Sequence, residues 1–330
     1  MHRDSIANTF VVATLLCLTC SLLVSSVATG LRSRQQANLE LFRKSKVLEV
    51  AGITPEEIKQ GGGVLAVFQQ RIESRVIDLE TGEDAAEQAG AAMAQVGKNI
   101  GKDAQEVIEK YDQVWAARSK MKSVAEQLPN SKAEDPAGLK YLEKYSHVYL
   151  LKSPDGNTVE RYIFPIRGNG LWGMMMGFIS LKPDLETVVG LTYYDHKETP
   201  GLGGEVDNEN WKALWRGKLV YDAAGGVALQ VIKGPASPDS KFDIDGLTGA
   251  TITSNSVTDM VKFWMGPRGF LNFIKKQNPE RDISRLDQQR LPLVDHRSAG
   301  SSFDIFSAAS ISFTAWPLRV IAGWKGALHV

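Results

Sequence analysis

From Ile6 to Gly30 the chain carries no charged residue. That run is long enough to cross a hydrocarbon core of about 30 Å as a helix. Ser26-Val27-Ala28 resembles a signal-peptide cleavage site. A signal core, however, runs over about 7–15 apolar residues, so the longer run predicts an uncleaved anchor. Gln35 to Val50 then reads as a helix leaving the membrane, with Leu39, Phe42 and Val47 near one face and Ala51-Gly52 as its end. Thr54, Pro55 and Glu57 have the spacing of a helix start: a hydroxyl cap, a proline in the first turn and a glutamate three residues on. Val64 to Leu79 predicts one or two strands. Between Asp84 and Leu128 the pattern turns helical, with Val107, Tyr111, Val114, Ala117, Met121, Val124 and Leu128 recurring along one stripe. This predicts a helical insertion packed on the main body.

After Tyr145 the period shortens. HVYLLKS, the turn PDGN and TVERYIFPIR predict a β-hairpin. LWGMMMGFISL and TVVGLTYYDH predict two more strands around a PDLE turn, with Met174 to Met176 in the sheet core. GKLVYD, VALQVIKG and FDIDG predict further short strands. A helix follows, capped by Ser254 or Asn255, with Val257, Met260, Val261 and Trp264 on its apolar face. The expected fold is α+β, an antiparallel sheet with packed helices, preceded by one N-terminal transmembrane helix. The expected divisions are an anchor over 1–31, a membrane-proximal helix and start of the soluble domain over 32–83, the insertion over 84–135, a core domain over 136–280 and an extension over 281–330. The tail apolar stretch from Ala308 to Trp324 contains Pro317 and Arg319, so no second span is expected there.

Composition narrows the function. The 330 residues carry a formal net charge of zero, which argues against a nucleic-acid partner. Both cysteines, Cys17 and Cys20, fall inside the span. The rest of the chain therefore has no disulfide, thiolate nucleophile or cysteine-bound metal. Cys17 and Cys20, one helical turn apart, read as membrane-facing side chains, with contact to a cluster in a neighbouring protein of the membrane as the sharper alternative. The scattered histidines predict no metal site. Gly168-Asn169-Gly170-Leu171-Trp172-Gly173 matches a dinucleotide fingerprint in letters only, because no amphipathic helix follows it. Local charge, with Arg32, Arg34, Arg43, Lys44 and Lys46 after the span and only Arg3 before it, would put the C-terminal side in the cytoplasm.

Two segments together carry a resemblance. Gly168 to Val206, GNGLWGMMMGFISLKPDLETVVGLTYYDHKETPGLGGEV, and Asp245 to Val257, DGLTGATITSNSV, resemble the C subunit of the sodium-translocating NADH:quinone reductase. The G subunit of the related Rnf electron-transport complex shares both segments; the Gly-Leu-Trp stretch favours the reductase. A non-redox anchored binding or assembly module, with the threonine segment only a helix cap, is the remaining alternative. The resemblance implies an FMN-binding domain and a flavoprotein that relays electrons as one subunit of an NADH:ubiquinone reductase. It is not a complete enzyme alone. The implied partners are the other membrane subunits (B, D, E, and A and F), membrane lipid and a flavin transferase that moves FMN from FAD. The implied location is the inner membrane, single-pass, with the soluble domain facing the periplasm, against the local charge reading.

The resemblance also implies site residues. FMN is joined through its phosphate to a threonine hydroxyl, and the matching position is Thr251, with Thr253 the second acceptor. Thr248 would hydrogen-bond the phosphate, while Gly249 and Ala250 would let it approach the backbone. Asp245 is expected to serve the modification rather than the redox step. The loop His196 to Glu205 has Pro200 to fix one backbone angle and Gly201, Gly203 and Gly204 to free others, so it would lie against a planar ring. Glu198 and Thr199 would bring polar atoms to the flavin, and His196 either the ring or only its own loop. Leu171, Trp172 and Leu202 would form an apolar wall.

Overall fold

The computed structural model describes residues 6–101 and 103–279. Arg3 and the extension expected over 281–330 lie outside them. In chain order the elements are α1 (Ile6–Val50), α2 (Pro55–Gln60), α3 (Val64–Arg71), β1 (Ile72–Asp78), α4 (Ala86–Gln95), α5 (Ala104–Lys110), α6 (Gln113–Ser119), β2 (Ala125–Gln127), β3 (Tyr141–Glu143), β4 (Tyr145–Lys152), β5 (Val159–Asn169), β6 (Met174–Leu181) and β7 (Val188–Asp195). A 3-10 turn (Gly203–Asp207), α7 (Glu209–Ala213), β8 (Gln230–Val231), β9 (Asp243–Ile244), α8 (Thr251–Trp264) and α9 (Leu271–Gln277) complete it.

The span and the membrane-proximal helix are one element. No proline interrupts Ile6 to Val50, and Gly30 meets no neighbour. α1 is apolar and long enough to cross a membrane by length and composition, and its apolar window buries nothing against the protein. Only its last turns enter the core, where Val47, Leu48 and Val50 pack. It ends at Gly52, whose φ of 86° only glycine adopts cheaply. Ile53 N–H donates to Leu48 O at 3.0 Å and Gly52 N–H to Glu49 O at 2.9 Å. This is the paired closure of a glycine-terminated helix, with Ile53 and Leu48 in the same apolar cluster. The exposed length from Leu31 to Phe42 is a helical stalk of about 18 Å.

The main sheet has the order β1-β4-β5-β6-β7, antiparallel throughout. Neighbouring residues bury on opposite faces. Leu151, Ile163 and Phe178 pack with the foot of α1 and with α3. Leu150, Phe164 and Ile179 pack with α8 and α9, around Met260, Trp264 and Phe273. A sheet covered on both sides explains the unbroken apolar run Tyr162 to Ile166. Met175 is fully buried in that second cluster, as expected for sheet core. The hairpins β4–β5 and β6–β7 match the sequence reading. GNGLWG holds the end of β5 and its tight connection to antiparallel β6, so no dinucleotide crossover exists there.

Three expectations change. Val64 to Leu79 holds a helix before its strand, because Val64, Val67 and Phe68 have helical spacing and pack on the foot of α1. The stripe from Val107 to Leu128 is not one helix. Asp112 caps a new one through Trp115 N–H, and Lys120 ends it in the left-handed region. Val124 is buried with Ala89, Met93 and Val107 against Val76 of β1, while Met121 is 44% exposed. The last expected helix begins at Thr251, with Ala250 rather than Ser254 or Asn255 at its cap position.

Pro165 sits inside β5 and cannot donate to the ladder. The β4–β5 register stops at Tyr149 opposite Ile163, two residues short of it. The next facing residue, His147, gives its N–H to Gln113 Oε1 at 2.9 Å instead. The insertion thus supplies an acceptor to a β4 N–H beyond the last β4–β5 pair. Burial lowers the His147 imidazole pKa to about 4, so it stays neutral in the fold. The unfolded chain takes up this proton near pH 6.5 and the folded one only near pH 4. Stability from this residue is present above about pH 6.5 and is lost on acidification toward pH 4, by about 3 kcal/mol in all. The expected result for His147→Gln is a flatter dependence between those pH values, in urea unfolding of the detergent-solubilised chain followed by tryptophan fluorescence. A slope identical to the parent's would refute the assignment.

Candidate functional site

Three segments meet at Glu198. This carboxylate is 5% exposed. Its Oε1 accepts the Trp172 N–H at 3.0 Å, and its Oε2 accepts the Thr253 hydroxyl at 2.6 Å. One side chain therefore ties the β5–β6 connection, its own loop and the first turn of α8. Its contacts leave no room for side chains beside it. A Cβ on Gly170 would come within 2.5 Å of Oε1, and one on Gly203 within 2.5 Å of Oε2 and 2.6 Å of Thr253 Oγ1.

Two similar turns abut above this junction. Thr199-Pro200-Gly201-Leu202 closes with Leu202 N–H donating to Thr199 O at 3.1 Å, with Gly201 at φ 76°. Proline second and a positive-φ glycine third is what a type II turn requires. Leu247-Thr248-Gly249-Ala250 closes through Ala250 N–H to Leu247 O at 3.0 Å, with Gly249 at φ 74°. A Cβ on Gly249 would lie 3.0 Å from Leu202 Cδ2. Thr199, Pro200, Gly201, Thr248 and Gly249 are not buried, while Ala250 is.

Between these turns α8 starts without a side-chain cap and with no acid in its first turn. Ser254 reaches back to the Leu247 N–H at 3.0 Å, so it fastens the turn before the helix. Among the described residues, nothing accepts from the backbone N–H of Thr251, Ile252 or Thr253. An uncapped helix start is electropositive, equivalent to about half a charge. The Thr251 side chain is exposed at its first position. Thr253, two residues on, is 1% exposed and committed to Glu198.

Leu171, Trp172 and Leu202 are exposed at 48%, 62% and 45%, and Ile252 at 57%. Sequence reasoning missed Ile252, although it lies off the buried Val257, Met260, Val261 and Trp264 stripe. His196 is occupied within its own loop. Nε2 bonds to Asp207 Oδ2 at 2.8 Å, and Nδ1 accepts the Glu198 N–H at 3.2 Å. Both ring nitrogens are thus engaged within the loop. The Asp245 carboxylate accepts the Ala236 N–H at 2.8 Å, and its carbonyl accepts the Trp211 indole N–H at 2.9 Å. It holds the approach to the threonine segment. Cys17 and Cys20 are exposed on α1.

The arrangement offers an accessible hydroxyl beside unpaired N–H donors, with apolar side chains exposed nearby. It suits a phosphate-linked planar group and lacks a nucleophile–base pair. The model of the FMN-binding domain family matches residues 170–266. The C subunit of the Na(+)-translocating NADH-quinone reductase of Pseudomonas aeruginosa is 40% identical over 276 residues, 83% of this chain and 96% of that protein. Its counterpart from Vibrio parahaemolyticus is 39% identical over 275 residues, 83% of this chain and 96% of that protein. The crystal structure of NqrC from Shewanella oneidensis aligns with a TM-score of 0.60 at 26% identity, covering 72% of this chain and 96% of that one.

Two outcomes are expected from this geometry. Gly203→Ala and Glu198→Ala each destabilise the chain by about 1–3 kcal/mol, the first by overpacking and the second by leaving the Trp172 N–H and Thr253 hydroxyl unpaired. Urea unfolding measures both; unchanged midpoints would contradict the junction. The hydrogen bond to Asp207, and then its charge, raise the His196 pKa. The ion pair is fully formed below the unfolded imidazole pKa, where Nδ1 is protonated and releases the Glu198 N–H, and it weakens as pH rises through the raised value. Protection of the 199–207 amides, relative to their intrinsic exchange at each pH, should fall across that rise, and Asp207→Asn should abolish the effect.

Proposed function

This chain belongs to the NqrC family, the C subunits of the Na(+)-translocating NADH-quinone reductases, and we propose that it is the FMN-carrying, membrane-anchored member of such a complex, with the flavin phosphate esterified to Thr251. The two relatives named above are both C subunits of that reductase, which favours it over the Rnf alternative. The observation that carries the attachment is the contrast between the threonines. Thr251 presents an exposed hydroxyl at an uncapped helix start, and Thr253 spends its hydroxyl on buried Glu198.

FMN, when bound, supplies one- and two-electron transfer. The chain's own part is to hold it. The N–H groups of Ile252 and Thr253 would donate to the phosphate oxygens, and the start of α8 would favour its negative charge. Thr248 stands in the adjoining exposed turn, available to the same phosphate. Trp172, Leu171, Leu202 and Ile252 would cover the apolar ring system. Thr199, Pro200 and Gly201 would border it, and Glu198 with Gly203 would fix the surface beneath.

The other subunits of the complex, B, D and E together with A and F, are the proposed electron partners, and a flavin transferase is the proposed installer. An anchor of one helix, with the domain on the periplasmic side, gives the covalent link a purpose: a diffusible FMN would be lost from that compartment.

The test is co-expression with a flavin transferase, denaturing electrophoresis with flavin fluorescence, and mass mapping of the modified peptide. FMN mass is expected on Thr251, with no fluorescent band for Thr251→Val and a retained band for Thr253→Val. FMN mass on Thr253 would move the site. An unmodified chain beside an active transferase would return the protein to a non-redox anchored module.

A further inference from the structure

A second feature lies apart from the threonine segment. A cleft of about 220 Å³ opens beside α6, at the start of β3 and the hairpin ends of β5 and β6. Arg118, Lys120, Lys140 and Arg167 all line it. We propose that this cleft binds a small phosphate monoester.

The charges do not balance within the protein. Arg167 is 5% exposed and pairs with the fully buried Glu143. No acid is among the lining residues, and Asp135 gives its two oxygens to the Leu139 and Lys140 N–H groups at 2.8 and 2.7 Å. Of the four lining cations, Arg167 alone pairs with a carboxylate among the described residues. Arg118, Lys120 and Lys140 have no ion pair among the described residues. A phosphate monoester carries about −1.5 to −2 at neutral pH, which fits that excess better than a single carboxylate.

Two further observations point to a ligand. Arg167 Nε and Glu143 Oε1, on the two members of one pair, are both buried without a hydrogen-bond partner, so the pair leaves the guanidinium incompletely satisfied at the cleft wall. A buried guanidinium N–H without an acceptor is costly unless something supplies one. The backbone is also unusual at the rim. Among the described residues other than glycine, positive φ occurs at Lys120 (58°), Lys140 (64°) and Leu185. Two of these three line this cleft, and such conformations gather where a site over-determines them. Lys120 Nζ lies over the Tyr141 ring at 5.6 Å, which keeps the cation at the rim rather than in solvent. Tyr141, Leu139 and Met174 give the cleft an apolar wall for the carbon part of the ester. The volume falls below the roughly 300–1,000 Å³ of sites for drug-sized ligands, so the ligand is small or only its head group enters.

The test uses the full chain in detergent micelles. Melting would be followed by tryptophan fluorescence in phosphate, in glycerol 3-phosphate and in chloride at matched ionic strength. Wild type is expected to show a saturable stabilisation by phosphate and by the ester over chloride. Arg118→Gln/Lys140→Gln, both at exposed positions, is expected to melt like wild type in chloride and to bind at least tenfold more weakly. Lys120→Gln alone should give an intermediate loss. The uncapped start of α8 is another place for phosphate, so the loss in the double variant carries the proposal. Equal phosphate response in wild type and double variant, or no response beyond chloride in either, would overturn it. Nanodiscs with and without phosphatidic acid separate the sources. Stabilisation by glycerol 3-phosphate assigns a soluble ester. Stabilisation by phosphatidic acid alone, lost in the double variant, assigns a lipid head group.

Discussion

A buried carboxylate with two oxygens and two donors sets the geometry at the threonine segment. Glu198 gains its place only if Trp172 N–H and Thr253 Oγ1 both reach it. Those donors come from a strand connection and a helix start that are far apart in the chain. Satisfying one acid therefore fixes three segments at once, and the glycines at 170 and 203 follow from the space it takes. The exposed positions of Thr251, Trp172 and Leu202 are consequences of that lock.

The same economy holds at the membrane side. Glu49, near the end of α1, accepts from Lys212 Nζ at 2.7 Å and from Thr192 at 3.1 Å, and its other oxygen takes Lys46 at 2.7 Å. Those hydrogen bonds keep its carboxyl below the usual range even though burial opposes them. Thr192 is on β7 and Lys212 on α7, the elements that flank the 196–207 loop. Arg43 adds its guanidinium over the Tyr194 ring at 5.3 Å. A continuous helix thus enters the sheet next to the loop that carries Glu198. Movement of the anchor relative to the site is resisted by buried apolar packing and by charge-assisted bonds together.

Much was legible because it depends on neighbours in sequence. The charge-free run, the capping box at Thr54, the Pro-Gly and Gly turns at 199–202 and 247–250, and the β4–β5 hairpin are all local chemistry. The resemblance in two segments drew attention to Thr251. What went astray was competition between partners. Ser254 has a good capping side chain, yet the buried Leu247 N–H takes it, and the helix runs back to Thr251. The Val64 segment reads as strand by its apolar content and becomes helix because its i, i+3, i+4 face meets the foot of α1.

Sequence by itself determined the long apolar helix, the element types over most of the sheet, the turn residues and a short list of threonines. Tertiary structure decided that the Thr253 hydroxyl is spent on Glu198, that both His196 nitrogens are engaged in its loop, that Ile252 faces outward, and that four cations share one cleft. The reason is range. Turn and cap energies are set within four or five residues. Burial and the choice of hydrogen-bond partner are settled between groups such as Thr253 and Glu198, which meet only when the sheet and α8 have packed.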